Sequence, residues 1–131
     1  MKYQEDYDIQ MQIAEAFMKK DKILRFLEVL KKSDRSQVRK FIGKENYIDW
    51  SKIITVPFEK ELDIFNTYKI KHSSTVYILS RSIEFNEKHF NLRDAIYEII
   101  GREITSIISI LPGKLALYES ESQFSGFLIR K

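Results

Sequence analysis

The chain contains no cysteine, which excludes disulfides, thiolate metal sites and a cysteine nucleophile. That composition fits a reducing cytoplasm. Glycine occurs four times in 131 residues, at positions 43, 101, 113 and 126. So sparse a set builds no glycine-rich phosphate cradle, and neither G-x-x-x-x-G-K-[ST] nor G-x-G-x-x-G is present. With only two prolines besides, long flexible stretches are not expected. No G-x-S-x-G elbow presents a serine nucleophile. No apolar run approaches the roughly 18 residues of a membrane span. The polar, acidic opening, Met-Lys-Tyr-Gln-Glu-Asp-Tyr-Asp, is the opposite of a secretory signal. Histidine is scarce too: His72 and His89 have no second ligand type at helical spacing, so a surface or loop setting is expected for both, and no metal or cofactor.

What the chain does hold is apolar bulk and unevenly placed charge. Nine Phe, seven Tyr and one Trp supply large core side chains, and the length suits one compact domain, residues 1–131, that needs no metal or disulfide to fold. Nineteen Ile against four Ala points to an AT-rich coding genome of bacterial, phage or plasmid type. Residues 19–44 carry ten Lys and Arg and only three acids, whereas residues 1–18 carry one base and four acids. The basic excess therefore lies in a single stretch, where it would steer an acidic partner.

Periodicity divides the chain into a helical part, 1–43, and a sheet with a helix, 44–131. Ile9, Ile13, Ala16 and Phe17 recur at helical spacing and predict a helix over 5–19. Asp21 offers an N-cap for a second helix over 22–32, with Ile23, Phe26, Leu27 and Leu30 as its apolar stripe. Asp34 and Gln37 resemble a capping box for a third, with Val38, Phe41 and Ile42 inside and Gly43 as its stop. The stretch 47–58 reads as a turn around 49–52 and a brief strand over 53–56, with Pro57 arguing against a central position. After it, "DIFNTYKIKH" alternates with Ile64, Tyr68 and Ile70 on one side, and "TVYILSRSIEF" follows as a long strand, so a hairpin is expected. Asn91 caps a helix that Gly101 ends, Pro112-Gly113 turns "EITSIISIL" into "KLALYES", and "SGFLIRK" supplies a last strand. The fold expected is α+β: an N-terminal three-helix segment, then an antiparallel sheet of about four to five strands with one inserted helix (β-β-α-β-β-β), helices on one face.

The basic stretch is the one feature that stands out as a binding surface. Its candidate residues are Lys22, Arg25, Lys32, Arg35, Arg39 and Lys40. On a helix-turn-helix reading, Arg35, Gln37 and Arg39 face DNA, but the usual turn glycine is missing at Ser33-Asp34 and a net charge of +3 is modest for that role. Glu119 and Glu121 lie in polar "YESESQ", which looks exposed and gives no reason for separated pKa values. Tyr77, Phe85 and Tyr118 read as core or cross-strand aromatics rather than stacking platforms, because the basic excess lies elsewhere. Trp50 and Tyr47 read as pins between helices and sheet. The C-terminal strand, as an unpaired edge, would offer a homodimer seam.

By elimination the chain reads as a small, non-enzymatic cytosolic binding protein with no cofactor. A protein–protein regulator, inhibitor or immunity-type protein of bacterial or phage origin fits, with an acidic protein as partner and no membrane. The alternative is a nucleic-acid-binding protein that uses the same surface, residues 19–44.

Overall fold

The computed structural model describes residues 2–131, with the side chains of the first helix from Glu5 onward. Met1, where the polar opening begins, lies outside them. Three helices come first, α1 (Lys2–Phe17), α2 (Lys20–Leu30) and α3 (Ser36–Gly43). Then follow β1 (Ile53–Pro57), α4 (Glu61–Tyr68), β2 (Thr75–Ser80), β3 (Lys88–Asn91), α5 (Leu92–Ile99), β4 (Ser106–Leu111), β5 (Leu115–Glu119) and β6 (Gly126–Arg130). The six strands form one antiparallel sheet in the order β1-β6-β5-β4-β2-β3. The class is α+β, helices first and sheet after. No helix among the described residues is long and apolar enough to cross a membrane.

Alternation along the strands sends side chains to two covered faces. Tyr77, Leu79, Ile107, Ala116, Tyr118 and Leu128 pack with Ile13, Phe17, Phe26, Val38 and Phe41 of α1–α3. Their neighbours Val76, Ile78, Ile108, Leu117 and Phe127 pack on the other face with Ile64 and Phe65 of α4 and Ala95 and Ile99 of α5. Helices thus lie on both faces, not on one as the patterning implied. That explains why "SIISIL", "LALYE" and "GFLIR" are almost continuously apolar: a strand covered twice has no wet side.

The segment 47–49 that leads into β1 is stitched to the junction of α1 and α2. Lys19 N–H donates to Tyr47 O at 2.7 Å and Asp49 N–H to Phe17 O at 2.8 Å, around a Met18–Ile48 bridge. The Lys52 ammonium donates to Met18 O. Tyr47 is fully buried, stacks on Phe41 and donates its hydroxyl to Ile42 O, so it pins helices to sheet. Trp50 stays partly exposed, edge-on to Tyr118 and Phe124. Tyr77, Phe85 and Tyr118 are all buried.

Several local expectations need correction. The segment 63–72 is not a strand paired to β2. Its first half is α4, in which Ile64, Phe65 and Tyr68 share a face, and β2 pairs with β3 and β4 instead. The chain leaves α4 through Lys69 in the left-handed region (φ 55°), with Ile70 N–H returning to Phe65 O. "TVYILSRSIEF" is not one long strand, because β2 ends at Ser80 and a turn follows. Asp21 lies in the first turn of α2 and the N-cap is Lys19. Asp34 does act at the entry to α3, accepting from Ser36 N–H and Ser36 hydroxyl, and these bonds hold its carboxyl below the usual value. Gly43 ends α3, yet the left-handed residue is Glu45. Finally, β6 is no edge: it pairs with β1 on one side and β5 on the other. It therefore offers no free backbone for a dimer seam.

Candidate functional site

The outer stripe of α3 repeats at helical spacing: Ser36, Arg39, Lys40 and Gly43. With Lys44 and Arg81 they line one groove of about 410 Å³. Arg81 follows β2 and reaches α3 because position 43 is glycine; a Cβ there would come within 2.9 Å of the arginine Cδ. Arg81 N–H donates to Thr105 O at 2.9 Å, which fixes its backbone against β4. The guanidinium pairs with Glu121. Lys40 feels Asp34 across the N-terminal turn. Among the described residues, Arg39 and Lys44 form no ion pair. Four cations thus converge on a groove walled by their own aliphatic stems, and only Arg81 is bound to a carboxylate. The arrangement can hold an acidic group while covering an apolar neighbour of it.

A buried carboxylate sets the rim of this groove. Glu45, just beyond α3, is buried in the left-handed region (φ 58°). Its carboxylate accepts from Thr105 hydroxyl, from Ser122 hydroxyl at 2.5 Å and from Glu121 N–H at 2.8 Å, while Gln123 Nε2 donates to its backbone oxygen. Burial alone would raise its carboxyl, but the bonds from Ser122, Thr105 and the Glu121 backbone outweigh that and hold it at about 2. Glu45 thereby orients the 120–123 loop, and with it the Glu121 side chain that meets Arg81.

Of the six residues singled out by sequence, only Arg39 and Lys40 reach this groove. Lys22, Arg25 and Lys32 lie outside its lining, and Arg25 pairs with Glu28 on the exposed side of α2. Arg35 is not part of a free cationic surface. Its Nε and Nη2 donate to the two oxygens of Glu87, and Nη1 donates to Leu30 O at 2.9 Å and Lys32 O at 2.8 Å. It closes the C-terminus of α2 and ties it to the turn before β3, and the Glu87 hydrogen bond raises its pKa further. Lys44 and Arg81 were not among the expected residues. Lys44 was findable, one helical turn beyond Lys40 at the end of α3; Arg81 was not, because nothing local links it to α3.

The carboxylates and histidines settle elsewhere. Glu119 is buried rather than exposed, and its Oε2 accepts from Gly101 N–H and Glu103 N–H at 3.0 Å each. Glu121 turns away to Arg81, so the two acids do not act as a pair. His89 Nε2 donates to Asp6 at 2.7 Å, and His72 sits edge-on to Phe65. Among the described residues no group of three or more His, Asp and Glu is placed to hold a metal ion. Comparison of the chain with protein-family models, with curated proteins and with solved structures finds no match.

Proposed function

We propose that the chain is a non-enzymatic binding protein of the cytoplasm, a regulator or inhibitor that takes an acidic segment of another protein into the groove between α3 and Arg81. The observation that carries this reading is the convergence of Arg39, Lys40, Lys44 and Arg81 on one groove, three of them without a hydrogen-bonded carboxylate. Cations at such a rim raise the encounter rate with an acidic partner, and their stems bury apolar surface once it docks. A protein segment suits the groove better than a nucleic acid. With Arg35 committed to Glu87, the helix-turn-helix reading loses a base reader. The cations also cluster around one hollow instead of tracking a phosphate backbone.

Titrating the full chain with a fluorescent Asp/Glu-rich peptide and, separately, with random duplex DNA tests this. The expected result is saturable peptide binding that the Arg39→Glu, Lys40→Glu double variant weakens more than tenfold, with Arg25→Glu unchanged as control. Duplex binding that outcompetes the peptide and falls steeply between about 50 mM and about 200 mM salt would give the surface to nucleic acid instead.

A further inference from the structure

A second cavity, of about 490 Å³, opens between α1 and α2 and is separate in its lining from the basic groove. Asp6, Tyr7 and Gln10 face it from α1. Leu27, Leu30 and Lys31 face it from α2 and its end, and Arg35 and Glu87 complete it. Its volume lies in the range of small-molecule sites, and its walls combine apolar surface with a few polar groups.

The polar groups sort into those that are spent and those that are not. Glu87 accepts from Arg35 Nε and Nη2, from Gln10 Nε2 at 3.2 Å and from Asn86 Nδ2 at 3.2 Å, so this charge is neutralised and its oxygens are occupied. Gln10 is more than nine-tenths buried. Its Nε2 also donates to Tyr77 hydroxyl at 2.7 Å, while its Oε1 accepts from none of the described residues. Asp6 gives one oxygen, Oδ1, to His89, and its Oδ2 accepts from none of the described residues. Lys31 forms no ion pair among the described residues. One wall therefore presents two acceptors, one of them charged, and the other presents an ammonium. Tyr7, Leu27 and Leu30 supply the apolar surface.

We propose that this cleft binds a small zwitterion with an apolar side group, of the free aliphatic or aromatic amino-acid class. The ligand's ammonium donates to Asp6 Oδ2 and Gln10 Oε1, its carboxylate meets Lys31, and its side group rests on Tyr7, Leu27 and Leu30. The charge balance selects against the simpler ligands. With Arg35 and Glu87 paired to each other, a bare cation would bring no carboxylate to Lys31, and an anion such as phosphate would face the Asp6 carboxylate. Either would engage only one of the two unspent charges, the Asp6 carboxylate or the exposed Lys31 ammonium, where a zwitterion engages both.

The test is an NMR titration of the full chain with leucine and with phenylalanine, followed at Tyr7, Leu27 and Leu30. The expected result is saturation at or below about 1 mM, with isoamylamine and 4-methylpentanoate, which lack one charged end each, binding at least about tenfold more weakly. Asp6→Asn and Lys31→Met each weaken amino-acid binding about tenfold with the thermal midpoint unchanged. If Asp6→Asn fails to fold, Lys31→Met alone carries the comparison, since Lys31 is exposed. No shift at these residues up to about 10 mM ligand, equal affinity for amine, acid and amino acid, or variants that bind as the parent does would each overturn the proposal.

Discussion

The two faces of the sheet are fastened by different means. On the α4–α5 face, side chains such as Phe127, Leu117, Ile108 and Ile99 meet almost without polar interruption, and Phe127 lies between the rings of Phe58 and Phe65. On the α1–α3 face, apolar packing is joined by charged fasteners that cross long sequence distances: Arg35 with Glu87, and Glu45 with Thr105 and the 121–122 backbone and side chain. Glu45 and Glu87 both occupy the left-handed backbone region, a conformation that costs a non-glycine residue free energy unless the surroundings hold it. The difference teaches that one face derives its position from volume and the other from a few directional bonds. It is the second kind of face that carries the two cavities described above.

Breaking volume should cost most. Phe127→Ala on the apolar face is expected to lower stability by about 3–5 kcal/mol, read from urea denaturation. A loss under about 1 kcal/mol would mean that this face is loosely packed and the contrast is false. Next comes Arg35→Ala, at about 2–3 kcal/mol, because it strands a mostly buried carboxylate and uncaps α2. Arg35→Lys should recover little of that, since an ammonium cannot bridge both Glu87 oxygens and two carbonyls at once. Replacing Glu87 with Gln in the same background should then cost far less than it does alone, and additive losses would show that the two residues do not act together.

Glu45→Gln sharpens the comparison through pH. The folded carboxyl is held at about 2 against an ordinary 4.5. A depressed carboxyl contributes its full stabilisation above about 4.5, and that contribution disappears as pH falls from there toward 2. At neutral pH the variant should lose about 1–3 kcal/mol, and below pH 4.5 its stability should fall less steeply than the parent's. Parallel acid limbs in parent and variant would remove Glu45 from the fasteners. The smallest effect belongs to Arg25→Ala. Its pair with Glu28 is exposed on both sides, and a change within about 0.5 kcal/mol is expected from thermal melts.

Much of the architecture was legible because it is local. The three helices, the Asn91 cap and the turn at Pro112-Gly113 follow from spacing and capping residues within a few positions, and Pro57 does sit on an edge strand. α4 was missed for two reasons. Leu62 is exposed and apolar, which blurs its stripe, and its left-handed exit residue is Lys69 where a glycine would have marked a stop. The second layer of helices was written in the unbroken apolar runs of β4, β5 and β6, which a sheet with one wet face would not need. The groove was half legible. Arg39 and Lys40 follow from helical period, but Arg81 arrives from after β2, and the acid that engages Arg35 lies 52 residues away. Periodicity reports what a segment buries, not which distant charge will meet it.

The position of β6 governs the order in which the molecule can be assembled. β1 pairs with no other strand, so residues 53–57 leave the ribosome long before their only hydrogen-bonding partner, residues 126–130, has been synthesised. Until then the native contacts open to the β1 segment are the Met18–Ile48 stitch, the Lys52 bond to Met18 O and side-chain packing, and β6 completes the sheet by pairing with β1 and β5 at once. Loss of that strand would leave β1 without a strand partner and expose the apolar edge of β5 in its place.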